Sequence, residues 1–452
     1  MMRGFKSAVR VGAAVALFAA CSGDSDPAND PGLSGGTTGA TAGAVAGAGG
    51  ANPSETTPDG PANPNAGTGG QPATPAPTSS AGRGATVTGG TGGTGAVAGA
   101  GAPQTQAAKV SVILAAQLAQ PSDLEFNPYV EDELWIMNFS DSSVVIVSNA
   151  STEERSAQRR IDVEGSSHFM PNPTALAFGA RDTTIVDAQA KSVEGTFATC
   201  PGSSEPYMGP TLWTSDLRIF AIEKQDREPP FNGADTGAEG PGSHIDMLHR
   251  TPSCTGIAWE GAGSVYWTYS AAHGRFVKYD FAKDHGIGND DHSDGSVWRY
   301  PIAGLHPAAR LPTHLQYDAE RKLLYMADTG NSRVVTFDPT TATESSMMNA
   351  SENVDNLRVA LNIEGGELND VVPSSYGLKS PVGLEIHADE LYVSDNETST
   401  IHRFSLDGTP LGKVVVADVK PGGLAGLAFG PDDKLYFVDM QTGRVLRLEN
   451  AF

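Results

Sequence analysis

Cysteine is nearly absent, with three residues in a chain of 452. So few thiols exclude a small disulfide-stapled scaffold and a four-thiolate zinc site. Basic side chains are scarce too: 30 Lys and Arg face 53 Asp and Glu, for a formal charge of −23. A chain of that sign repels phosphate backbones, whose binding depends on cationic side chains, so no nucleic-acid partner is expected. The N-terminal apolar run, Val11–Ala20, is ten residues long, about half of what a membrane-spanning helix needs. Aromatic residues make up 7% of the chain, and none falls between residues 22 and 108. Gly (53) and Pro (30) are too numerous for one compact domain unless they are concentrated in one segment.

They are concentrated. Residues 21–108 hold 22 of the 53 glycines, in runs such as TGGTGG and AGAGG, with one Leu (Leu33) and one basic residue (Arg83). Such a segment cannot bury enough apolar area to offset its ordering entropy, so it is expected to be a disordered tether. Its reach, from the square-root scaling of flexible linkers, is on the order of 50 Å. Residues 1–20 ahead of it are laid out as an export signal, with Arg3, Lys6 and Arg10 before the apolar run. The run ends in Phe18-Ala19-Ala20-Cys21, which resembles the bacterial lipobox, although Phe18 stands where Leu or Val is usual. The resemblance implies lipidation of Cys21 and a lipid-bilayer anchor; an ordinary signal peptide cut nearby is the other reading. Ser22 and Gly23 follow the cysteine with no Asp at the next position, which leaves an outer-membrane or cell-surface address in the bacterial envelope.

The remaining residues, 109–452, carry all but four of the basic and all but five of the acidic side chains. At this length a repeat architecture or two cores are expected. Six segments share a Leu/Ile-x-aromatic/Ile ending: Asp123–Phe126, Ala175–Phe178, Gly256–Trp259, His314–Tyr317, Gly383–Ile386 and Gly426–Phe429. Each precedes a second apolar run: ELWIMN (133–138), DTTIVD (182–187), SVYWTY (264–269), LLYMAD (323–328), ELYVSD (390–395) and KLYFVD (434–439). A turn and a third strand come next, except in the second unit, where a long insertion places it around Leu212–Ile222. Short strands recurring with turn signals and no helical period predict an all-β, six-bladed β-propeller over 109–452. The last unit ends after three strands, and Val110–Leu118 has no other partner, so it is expected as the fourth strand that closes the ring. A helix over 110–118 is the alternative; Val110, Val112 and Ile113 favour the strand.

Leu311–Asp338, LPTHLQYDAERKLLYMADTGNSRVVTFD, resembles a complete NHL repeat. The segments around 380–404 and 422–448 are looser copies. The resemblance implies a six-bladed propeller with a binding role, some relatives being enzymes. His314 is also similar to the strand-entry histidine of the amidating lyase propellers, which implies a metal there; no other motif of that family is matched.

Asp187, Asp328, Asp395 and Asp439 end second runs, where a short carboxylate accepts hydrogen bonds from turn amides, with Gly330 expected to supply positive φ. Four histidines lie just before or at innermost strands: His168, His244, His249 and His314. His168, His249 and His314 are candidate ligands for Zn²⁺ or Cu²⁺ at the channel mouth, against separate hydrogen-bonding loop histidines. With Cys21 lipidated, Cys200 and Cys254 are expected to pair in an oxidising compartment, a metal-binding thiol pair being the runner-up. Asp290, His292 and Asp294 follow calcium-loop spacing, but Pro301 replaces the twelfth-position Glu. A structural Ca²⁺ is one reading of that loop, and a solvated polar loop is favoured. Two function classes follow. The first is a tethered recognition module for a peptide, glycan or protein, roofed by insertions at 190–212 and 225–250; the second is a metal-dependent lyase or hydrolase. Recognition ranks first, because catalysis requires a convergence of histidines that sequence alone does not demonstrate.

Overall fold

The computed structural model describes residues 105–452 apart from 164, 182, 188–190, 192, 194, 224–225, 228–230, 232–241, 309 and 451. The export signal, Cys21 and nearly all of the tether lie outside the described residues. Two strands come first, β1 (Thr105–Ala107) and β2 (Val110–Leu114). Antiparallel meanders follow. They are β3–β6 (Pro121–Phe126, Glu133–Asn138, Ser143–Ser148, Ser156–Arg160) and β7–β10 (Pro173–Phe178, Thr196–Pro201, Thr211–Thr214, Asp246–Met247). Next are β11–β14 (Cys254–Trp259, Val265–Ser270, Arg275–Asp280, Ser296–Pro301) and β15–β18 (Leu315–Asp318, Leu323–Asp328, Arg333–Met347, Val359–Val372). Last come β19–β22 (Pro381–His387, Glu390–Asp395, Thr400–Ser405, Pro410–Val415) and β23–β25 (Leu424–Phe429, Leu435–Asp439, Arg444–Leu448). The third and fourth meanders are joined edge to edge by β14 parallel to β18, which makes one eight-stranded sheet. Among the described residues no helix is long and apolar enough to cross a membrane.

The second strands are apolar at nearly every position because both of their faces are covered. β4 shows this: all six of its residues are buried. Leu134 and Ile136 pack with Tyr436 and Val438 of the last meander, whereas Trp135 and Met137 pack with Phe178, Phe197 and Trp213 of the next. The two-residue period of a strand thus sends alternate side chains into two different cores. The same division recurs around the molecule, each core joining successive meanders. First strands neighbour one another in the order β3, β7, β11, β15, β19, β23 and back to β3. The arrangement is all-β and propeller-like.

β2 completes the last meander by pairing antiparallel with β25, from Val110 opposite Leu448 to Leu114 opposite Val445, as the unpartnered Val110–Leu118 run predicts. Residues after Leu114 form bends, not a helix. β1 adds a parallel fifth strand to β22, which the sequence pattern did not indicate.

The second meander differs from expectation. DTTIVD is not its second strand; Asp187 forms only an isolated bridge with Phe231, and the strand is TFATCP, β8, paired with β7. Thr, Ile and Val gave the insertion a strand-like composition, but Phe197 and Ala198 occupy the buried register. The third strand, β9, is correspondingly short at Thr211–Thr214.

Turn carboxylates behave as the repeat pattern implies: Asp395 accepts from the amides of Lys379, Ser380 and Thr398, and Asp439 from those of Gln441 and Thr442. Asp328 departs from that pattern, accepting from the side chains of Asn331 and Arg333 and from the distant His306 amide in place of its own turn amides. Gly330 is required for a different reason than the one expected. Ser332 takes the positive φ of that turn, at 56°, whereas a Cβ on Gly330 would stand 2.4 Å from the His306 carbonyl oxygen.

Candidate functional site

Third and fourth strands lie farthest from the ring of first strands. Three segments flanking fourth strands converge: residues 243–250 around and after β10, 281–295 between β13 and β14, and 348–358 between β17 and β18. Backbone bonds from His285 N to Ile245 O (3.1 Å) and from Gly288 N to His244 O (2.8 Å) lay the second segment along the first. Arg358 N donates to Gly295 O at 3.0 Å and ties the third to the second. Gly295 allows close packing there, since a Cβ would meet Leu248 Cδ2 at 2.8 Å.

This arrangement gathers four histidines. The His244 ring is 5.2 Å from that of His285, His285 is 5.3 Å from His292, and His292 is 5.6 Å from His249. Asp355 joins the last two, accepting from His249 N at 3.0 Å and lying 2.5 Å from His249 Nδ1 and 3.5 Å from His292 Nδ1. Two groups place one ligand atom of each member within 4.8 Å of the others: Asp246, His285 and His292, and His249, His292 and Asp355.

Burial and charge set the protonation here. Burial pushes Asp246 well above the usual carboxylate range, the bond from Met247 N opposing it and the charges of Asp294, Asp284 and Asp355 adding to it. Burial pulls His285 down to about 4, against its hydrogen bond to Gly286 O, so its imidazole is neutral at pH 7. Burial would raise Asp355, but hydrogen bonds from His249 and His292 outweigh it and hold the carboxyl below the usual range.

His249 and Asp355 also face an open cleft of about 420 Å³, whose other walls include His168, Glu205, Tyr207 and Met208. His168 comes from a short helix, α1 (Ser166–Phe169). Burial and the neighbouring His249 lower its pKa, and Glu205 opposes them. Tyr207 is 49% exposed, with the Arg250 guanidinium 4.8 Å from its ring centroid. Behind the Ser203–Met208 loop, Cys200 of β8 and Cys254 of β11 form a disulfide. It links the second and third meanders through strands, not through an insertion.

His314 is not in that cleft. It immediately precedes β15, a first strand, and its Nδ1 lies 3.5 Å from Asp123 Oδ1 of β3. Burial pulls it down to about 4. Glu125 and Glu385 are half-buried close to Asp123. Burial raises Asp123 to about 8 and both glutamates well above their usual range, with mutual repulsion adding to the latter. Raised carboxyl pKa values mean the folded chain holds protons that the unfolded chain releases above about pH 4.5, so stability falls as pH rises from there towards about 8. Glu125→Gln with Glu385→Gln is expected to flatten that fall, read as urea midpoints at pH 5 and pH 8. An unchanged slope would show that these carboxyls titrate normally.

Of the calcium-spaced residues, Asp290 is exposed and Asp294 accepts from Lys283 N at 3.3 Å. Neither joins His292 in a ligand group among the described residues. Asp246 and Asp355 escaped sequence reasoning. Asp246 shares the alternation of His244 in GSHIDMLH, which is a usable signal; Asp355 in SENVDNL offers none.

No family model matches the chain, and no curated protein does. Solved structures with a similar fold include a streptogramin B lyase (10% identity, 75% of this chain and 97% of that one, TM-score 0.41). An auxiliary nutrient binding protein from Bacteroides thetaiotaomicron matches at 8% identity, 73% and 69% coverage and TM-score 0.44. Regucalcin from Agrobacterium tumefaciens, a calcium-binding protein, matches at 13% identity, 76% and 95% coverage and TM-score 0.40.

Proposed function

We propose that the chain is a binding module of the bacterial cell envelope: a six-bladed NHL-like propeller, lipidated at Cys21 and held off the bilayer by residues 21–108. Its ligand occupies the cleft walled by His168, Glu205, Tyr207, His249 and Asp355. The observation that carries this reading is the open cleft itself, with polar and apolar walls, an exposed aromatic ring and a loop fixed from behind by the Cys200–Cys254 bond. Glu205 and the ionised Asp355, in a chain of formal charge −23, disfavour polyanions and suit a peptide or glycan rich in hydrogen-bond donors.

Calorimetric titration of the full chain with lysine-containing peptides and with neutral oligosaccharides tests this. A ligand from either set is expected to lose about tenfold or more in affinity with Tyr207→Ala and with Glu205→Gln. Binding that neither variant alters would place the recognition surface elsewhere. A metal-dependent lyase or hydrolase is the second reading, favoured by the histidines behind the cleft; zinc-dependent turnover of a bound ligand would select it.

A further inference from the structure

Among the described residues, Asp246 Oδ2, His285 Nε2 and His292 Nε2 are buried polar atoms with no hydrogen-bond partner. Leaving such atoms unmatched is destabilising. They belong to the three side chains that place one ligand atom apiece within 4.8 Å of one another. The opposite atom of each side chain is already engaged. Asp246 Oδ1 accepts from Met247 N at 2.7 Å, His285 Nδ1 lies 2.7 Å from Gly286 O, and His292 Nδ1 faces Asp355 at 3.5 Å. A histidine that donates from one nitrogen to a carbonyl or carboxylate presents the lone pair of the other, which is the usual support of a metal-bound imidazole.

We propose that Asp246, His285 and His292 hold a divalent transition-metal ion of the zinc class, with Gly286 O and Asp355 orienting the two imidazoles. Two nitrogens and one carboxylate oxygen suit such an ion, whereas calcium and magnesium take oxygen ligands. Three protein ligands leave a further coordination position open. The ion cross-links β10 to the β13–β14 connection, and through Asp355 it braces the β17–β18 connection. Asp355 also binds His249, so the metal supports one wall of the cleft. The site stands independently of the ligand assigned to that cleft.

The test uses the full chain, stripped with a chelator and titrated with zinc alone against a chromophoric competitor, with bound metal counted by mass spectrometry. About one zinc per chain is expected. His285→Ala and His292→Ala should each weaken zinc at least 100-fold, and Asp355→Asn about 10- to 100-fold. His168→Ala and His314→Ala should leave the affinity unchanged. Asp246→Asn is nearly isosteric and covers the case in which a histidine variant fails to fold; it should bind zinc weakly while keeping a native circular dichroism spectrum. Substoichiometric zinc on the wild-type chain, undiminished affinity in Asp246→Asn, or loss on changing His314 would each overturn the proposal.

Discussion

Deleting Thr105–Ala116 from the full chain is expected to lower its unfolding free energy by on the order of 3 kcal/mol and to make it self-associate. The deletion removes Ile113, 5% exposed in the core between the last and first meanders. It also removes the four pairings of β2 with β25 and the bonds of Arg155 Nε to Ile113 O and of Glu449 N to Lys109 O. β25 then becomes an unpaired edge carrying Val445, Leu446 and Leu448, a template for another chain. Urea melts and size-exclusion chromatography over a concentration series check both effects. An unchanged midpoint with monomeric elution would mean that the last meander is stable with three strands.

Replacing both bridged cysteines, Cys200→Ala with Cys254→Ala, should cost about 4 kcal/mol by the loop-closure relation for a sequence separation of 54. The bond links β8 to β11, and the Thr174 hydroxyl reaches the carbonyls of both cysteines at 3.1 and 3.0 Å. The tie is therefore between packed strands. Its removal also frees the Ser203–Met208 loop, so ligand affinity at the cleft is expected to fall together with stability. Guanidinium melts of the two chains measure the first effect. A difference below about 1 kcal/mol would show that strand packing alone fixes this junction.

Strand segments were legible in the sequence because a sheet packed on both faces makes its second strands nearly continuously apolar, as in ELWIMN, LLYMAD and KLYFVD. The closing strand was legible for a related reason: an apolar run without a partner must pair with a sheet that lacks a strand. The second meander misled because a strand is defined by burial as well as by β-propensity. DTTIVD has the residue types, whereas TFATCP has the covered faces.

Histidine convergence was only half legible. His168 and His249 share a cleft, but strand entry placed His314 on the axis, where its neighbour is Asp123. His292 was noticed for calcium-loop spacing and shares its segment with His285, yet Asp246 and Asp355 arrive from segments far away in sequence, which no local pattern encodes. Asp355 depends wholly on the long β17–β18 hairpin, whose tip folds back to His249.

The metal proposed for this chain lies where residues 243–250, 281–295 and 348–358 meet, not on the axis beside His314. Diffraction at the zinc absorption edge, from crystals of the full chain grown with zinc chloride, locates the ion. A single anomalous peak enclosed by Asp246, His285 and His292 is predicted; a peak beside His314 and Asp123, or none at all, would contradict that placement.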